Sequence, residues 1–170
     1  MTDDLRVTFL GTGTSQGIPV IGSTHPVCLS DNPKDKRLRV SVLLSWNDYN
    51  YVIDCGPDFR QQMLRHNMNH LNGILYTHEH SDHTAGLDDI RPFFFKQGDI
   101  PIYAHKRVVK SLKKRFGYIL NEKDKYPGAP SVHINKVKNN VPFLIGGREV
   151  IPLNVQHYKL QVFGFRVGDF

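Results

Sequence analysis

The sequence predicts a mixed α/β (α+β) fold in which layered sheets carry helices on their outer side. Three observations predict it. Short apolar runs alternate with segments of helical periodicity through the first two thirds of the chain. Strand-like runs then follow one another to the end. Glycine, proline and asparagine clusters separate the runs, with no internal repeat, low-complexity tract or long linker. The 170 residues are read as a single domain, 1–170, large enough for a sizeable core.

The elements follow in order. "LRVTFLG" (5–11) reads as a strand that ends in a glycine turn. "LRVSVLLSW" (38–46) and "YVIDCG" (51–56) read as two more, joined by "NDYN". "PDFRQQMLRHNM" (57–68) opens with Pro57 at a first helical position and spaces Phe59, Met63 and Leu64 for one helix face. "GILYT" (73–77) is a short strand of buried type. "AHKRVVKSLKKRFGYIL" (104–120) is a second helix with Val108, Val109, Leu112 and Phe116 on one side. "VHINKVK", "PFLIGG", "REVIPLNV" and "LQVFGFRVG" complete the chain as strands.

Composition narrows the function classes. Apolar residues are 39% and charged residues 22%, as in soluble globular proteins. No apolar run approaches the roughly 18–20 residues of a membrane span, so no membrane partner is expected. The acidic start "MTDDLRVTFLG" lacks the basic head and apolar run of a signal peptide, which predicts a cytoplasmic protein. Two cysteines are too few for a disulfide framework. The formal charge of +6 mildly favours an anionic partner or substrate. The six basic residues of "KRVVKSLKKRF" read as a solvated helix face, without the aromatic interleaving of a nucleic-acid surface. Nucleic acid is therefore not expected as a partner.

The segment "THEHSDH" (77–83) is the chemically dense one. Imidazole nitrogen and carboxylate oxygen are ligands for zinc, manganese or iron. Leaving a strand, alternate side chains point the same way, so His78 and His80 can grip one ion together. The chain then turns, and Asp82 and His83 project toward a second position. Two ions a few Å apart can share a hydroxide, a nucleophile at neutral pH. The bland alternative, an exposed polar loop, does not explain four candidate ligands within six residues after an apolar strand.

"THEHSDH" followed by "TAGL" resembles the signature of the metallo-β-lactamase superfamily. That resemblance implies an αββα sandwich and a site for two divalent metal ions. By it, "VIDCG" supplies Asp54, which orients the ligating imidazoles, and "LNVQHYKL" supplies His157 as third histidine of the first metal position. The implied metal ligands are His78, His80, Asp82, His83 and His157, with Asp82 and Asp54 in catalytic roles. A narrower resemblance runs through "VTFLGTGTSQGIPVIG", "NPKDKRLR", "IDCGPDFRQQM", "THEHSDHTAGLDDIRPF" and "VFGFRVGDF". It points to a subgroup that includes the cyclic-phosphate phosphodiesterase of the carbon–phosphorus lyase pathway. The implied activity is hydrolysis of a small phosphodiester, a cyclic nucleotide or cyclic sugar phosphate, by a metal-bound hydroxide. Hydrolysis of another ester, lactone, lactam or thioester, or an inactive metal-poor fragment, are the alternatives. The superfamily pattern also contains a bridging aspartate after the "GFRVGDF"-like strand and a last histidine near the domain's end. Neither stands within these 170 residues, and Asp169 precedes the bridging position. The expectation is thus a truncated portion of a longer protein, with exposed strand edges open to self-association.

Three further features carry alternatives. "GTGTSQG" (11–17) lacks the spacing of a dinucleotide fingerprint, and Pro19 bars the helix that motif needs, so it reads as a loop. In "GSTHPVC" (22–28) the subgroup often places cysteines for a structural zinc. Here His25 and Cys28 could hold half a site, against a plain loop with a free thiol. In "GLDDIRPF" (86–93), Asp88 and Arg91 could line the substrate side, with Arg91 clamping a phosphate; helix capping and surface pairing is the equal alternative. His66, His70, His105 and His133 read as surface histidines.

Overall fold

A computed structural model describes residues 4–170. Met1–Asp3, on which the reading of the acidic start partly rests, lie outside the described residues. The elements are β1 (Arg6–Gly11), α1 (Pro26–Leu29), β2 (Ser41–Trp46), β3 (Tyr49–Ile53), α2 (Phe59–Arg65), β4 (Gly73–Leu75), α3 (Ser81–Thr84), α4 (Arg91–Gln97), β5 (Ile100–Ala104), α5 (Lys106–Arg115), α6 (Gly117–Leu120), β6 (Val132–Lys136), β7 (Phe143–Ile145), β8 (Arg148–His157) and β9 (Leu160–Val167).

Six strands form one sheet in the order β1-β2-β3-β4-β5-β6, and β7-β8-β9 form a second. β1, β2 and β3 are antiparallel neighbours. The β2–β3 hairpin turns on Asn47 and Asp48, and Asn47 supplies the positive φ that a two-residue turn demands. From β3 to β6 the pairing is parallel, which forces each connection across the sheet through a helical segment. Phe59 and Met63 of α2, Phe93 of α4 and Val108, Val109 and Leu112 of α5 are buried with Val52, Ile74 and Ile102 of the sheet. The other face of that sheet presents Leu44, Trp46, Tyr51 and Leu75 to Ile145, Val150 and Val167 of the second sheet. These are helix, sheet and sheet layers of the expected sandwich; among the described residues no helix follows β6.

The structure corrects the element reading in three places. α2 begins at Phe59, so Pro57 lies before it, and Leu64 is exposed rather than on the face that Phe59 and Met63 bury. β5, a parallel strand inside the sheet, was not predicted, and Ala104 belongs to it rather than to the helix. The helix predicted over 104–120 also breaks at Phe116, whose φ of −122° and ψ of 45° are not helical, so α5 and α6 are separate. Gly11 ends β1, and the rest of the glycine-rich segment to Gly17 is a loop whose glycines allow close approach. A Cβ on Gly11 or Gly13 would collide with the backbone carbonyls of residues 37–39.

Candidate metal centre

The site forms where parallel strands end, which is where an open α/β sheet leaves a crevice. β3 ends at Ile53, and Asp54 follows with φ 64°, in the left-handed region that a non-glycine residue adopts only when its surroundings hold it there. Its N–H donates to the Leu75 carbonyl at 2.9 Å, and the Ser41 hydroxyl donates to its carbonyl at 2.8 Å. The buried carboxylate is thereby turned toward the end of β4. There Oδ1 accepts the Thr77 N–H at 2.8 Å, and Oδ2 accepts the Thr77 hydroxyl at 2.7 Å. His83 Nδ1 lies 2.6 Å from the same Oδ2.

These partners fix two tautomers. The Thr77 hydroxyl gives its one proton to Asp54, so its oxygen accepts from His78 Nδ1, 2.9 Å away. His78 Nε2 is then left with its lone pair 3.1 Å from His80 Nδ1. Likewise His83 gives its Nδ1 proton to Asp54, and its Nε2 stands 3.2 Å from Asp82 Oδ2. Two acceptors at that separation repel unless a proton or a cation lies between them. Burial first, then the neighbouring His83 and His80 rings, push the His78 pKa down to about 3, so this ring is neutral, the form that ligates. For His83, burial opposes the charge, but the hydrogen bond and charge of Asp54 and the charge of Asp82 outweigh it and raise the pKa.

His157 arrives from the second sheet. It closes the β8–β9 hairpin opposite Leu160, and the Phe163 N–H of β9 donates to the Thr77 carbonyl at 3.0 Å. Ligand atoms of His78, His80 and His157 all lie within 4.8 Å of one another, His78 buried and the other two exposed. Three convergent imidazoles of this kind fit a zinc, manganese or iron ion. Beside them a cleft of about 360 Å³ is walled by Val40, Val42, Ile53, Val155, Val162 and Phe163, with Asp54, His78 and His83 at its polar end.

Other predicted residues are placed elsewhere. Asp88 and Arg91 pair with each other at 2.8 Å, and Arg91 also donates to the Tyr126 hydroxyl while the Tyr118 hydroxyl donates to Asp88. His25 caps α1 by accepting the Val27 N–H, and Cys28 Sγ accepts the Val20 N–H. Among the described residues neither belongs to a group of three potential ligands. Asp169 is exposed in the turn after β9 and joins no such group either. His66, His70 and His133 are exposed, and His105 caps α5.

Sequence reasoning missed Thr77, Glu79, Arg107 and Arg115. The arginines belong to the run read as a solvated face, yet both turn to the metal loop. Arg107 Nε is 2.8 Å from Glu79 Oε1, and Arg115 Nη2 donates to the Glu79 carbonyl and to Thr84 Oγ1, each at 2.9 Å. The sequence signal was the helical position of each beside the buried Val108 and Leu112.

Comparison with known proteins agrees with this architecture. The beta-lactamase superfamily domain matches residues 49–169, and the chain belongs to that superfamily. An octanoyltransferase of Porphyromonas gingivalis is 38% identical over 166 residues, covering 97% of this chain and 33% of that protein. A ribonuclease Z of Methanococcus maripaludis is 25% identical over 143 residues, covering 81% of this chain and 40% of that protein. The crystal structure of a diphosphatase from the PhnP family superposes with TM-score 0.87 at 36% identity, covering 97% of this chain and 63% of that one. The chain thus spans between one third and two thirds of the length of these relatives.

Proposed function

We propose that the chain serves a metal-dependent phosphodiester hydrolase whose substrate is a small cyclic nucleotide or cyclic sugar phosphate. The observation that carries this reading is the convergence of His78, His80 and His157 beside the Asp82–His83 pair. A first ion is assigned to the three histidines and a second to Asp82 and His83. Divalent ions supply Lewis acidity and lower the pKa of water. The chain's own residues do the positioning. Asp54 and Thr77 hold His78 and His83 with their ring nitrogens free toward the site.

The relatives support phosphate chemistry: a diphosphatase at 36% identity and a ribonuclease at 25%. The narrower likeness to the carbon–phosphorus lyase phosphodiesterase favours a cyclic substrate. The cleft of about 360 Å³ beside the histidines is at the small end of ligand-site volumes. The octanoyltransferase match covers one third of that protein, and a three-histidine cluster suits hydrolysis rather than acyl transfer.

The test is elemental analysis of the gently purified protein, followed by turnover of bis(4-nitrophenyl) phosphate and a 2′,3′-cyclic nucleotide with added manganese or zinc. A lactone and a thioester complete the panel. Saturable, metal-dependent turnover of the phosphodiesters is expected, with Asp82→Ala reducing it at least about a hundredfold. Turnover of the lactone or thioester alone overturns the substrate class. Equal phosphodiesterase activity in Asp82→Ala overturns the site.

A further inference from the structure

Residues 78–80 belong to no helix or strand, yet two proposed ligands flank Glu79 there. A metal loop without secondary structure needs side chains to hold its backbone. Asp54 holds the loop from the β3 side through Thr77 and His83. On the opposite side the only element whose side chains reach residues 79 and 84 through the hydrogen bonds and ion pairs observed among the described residues is α5.

α5 is built for this contact. Val108, Val109 and Leu112 anchor it in the core, so its rotation about its own axis is fixed. Arg107 and Arg115 lie eight residues apart, about 12 Å along a helix axis, and so reach separate points of the loop. Arg107 meets the Glu79 carboxylate, which is only 20% exposed, and also donates to the Gln161 carbonyl of β9. Arg115 joins the Glu79 carbonyl to the Thr84 hydroxyl, and that hydroxyl donates in turn to the His80 carbonyl at 2.8 Å. The backbone on both sides of His80 is therefore tied to one guanidinium. Arg107 ties the same loop to the hairpin that carries His157.

We propose that Arg107 and Arg115 are positioning residues of the metal site: through Glu79, Thr84 and Gln161 they hold His78, His80 and His157 at ligating distance. The proposal rests on the metal reading above and adds to it that α5, which carries no ligand, sets the site's affinity. Arginine is required for its planar fork, since lysine offers one point of charge and no fixed geometry.

The experiment compares the wild type with Arg115→Gln, Arg107→Gln and Arg115→Lys, with Lys113→Gln and Lys114→Gln on the same helix as controls. Two readouts are used: amide hydrogen exchange of residues 78–84 in the metal-free protein, and cobalt(II) affinity from visible absorption. Arg115→Gln and Arg107→Gln should speed exchange across 78–84 and weaken cobalt at least about tenfold, the range typical of groups that support ligands. Arg115→Lys should recover part of the affinity, and both lysine controls none of the loss. Melting of every variant is followed, because a merely structural role would lower stability without a local change at 78–84. Unchanged exchange there in both glutamine variants overturns the proposal, as does wild-type cobalt affinity in both. A wild type that takes up no cobalt overturns the metal reading instead, and the exchange arm still decides whether the arginines hold the loop.

Discussion

Asp54 shows how one carboxylate can organise two histidines. It accepts from the Thr77 amide and hydroxyl and from His83, while its own backbone sits at φ 64°. Asparagine tolerates that backbone and matches the shape, so Asp54→Asn isolates the chemistry. Whichever way the amide turns, its NH2 faces a donor, either the Thr77 amide or the Thr77 hydroxyl and His83 pair. With the NH2 at the Oδ2 position the tautomer relay to His78 is lost, and with it at Oδ1 the Thr77 amide loses its acceptor. Metal affinity is expected to fall by about 10- to 100-fold, the usual effect of removing a carboxylate that orients ligating imidazoles. Isothermal titration with zinc measures it, and unchanged affinity would refute the relay. The metal-free protein adds a pH signature. His83 has its pKa raised in the folded state, so its charge contributes stability that is fully present below the ordinary histidine value and is lost as pH rises through the folded value. The stability gap between wild type and Asp54→Asn should accordingly narrow as pH rises through that window, as read by urea unfolding at successive pH values.

At the level of elements, the loops after β3 and β4 are pressed together. The Cys55 N–H donates to the His83 carbonyl at 2.9 Å, and the Gly86 N–H to the Cys55 carbonyl at 3.0 Å. A Cβ on Gly56 would strike the Asp82 carbonyl oxygen, and one on Gly86 the Gly56 carbonyl oxygen. Gly56→Ala should therefore cost about 2 kcal/mol by overpacking, roughly 4–8 °C of melting temperature for a chain of this size. It should also displace Asp82 and weaken metal binding; a variant with wild-type melting and affinity would show that the loops are not in register. The resemblance paired "IDCG" with "THEHSDHTAG", and this crossing is its physical content: Gly56 and Gly86 are the points at which the two segments touch. β5 was illegible for a local reason. Ile100, Ile102 and Ala104 are buried in strict alternation, but Pro101 argues against a strand inside a sheet. It is tolerated because it stands at the strand's entry, before the β4 ladder begins at Ile74 and Ile102. The inward turn of Arg107 and Arg115 was illegible because periodicity separates apolar from polar faces and does not show what a flanking cation meets in three dimensions. Asp88 and Arg91, adjacent in sequence to the metal loop, are engaged with each other and with Tyr118 and Tyr126, partners that the local sequence did not show.

Across the whole molecule, the two sheets meet at two places of different character. One is the apolar core of Leu44, Trp46, Tyr51 and Leu75 against Ile145, Val150 and Val167, sealed by the Trp46 indole donating to the Gly146 carbonyl at 3.0 Å. The other is polar, the Phe163–Thr77 hydrogen bond with His157 facing His78 and His80, ring centroids 5.5 and 5.6 Å away. An ion on these three histidines would act as a second fastening between the sheets, absent from the unfolded chain. A ligand at about 100 times its Kd adds about 2.7 kcal/mol to stability, which is roughly 5–11 °C here. His157 is exposed at a hairpin end and caps no core, so His157→Ala should melt within about 2 °C of the metal-free wild type, as surface substitutions do. It should nevertheless lose the rise in melting temperature that zinc gives the wild type. Calorimetry of both proteins with zinc and with a chelator separates the two sheets' apolar fastening from the ionic one. A full zinc-induced rise in His157→Ala would mean that the hairpin does not contribute to the ion's site and that the sheets are held by the apolar core alone.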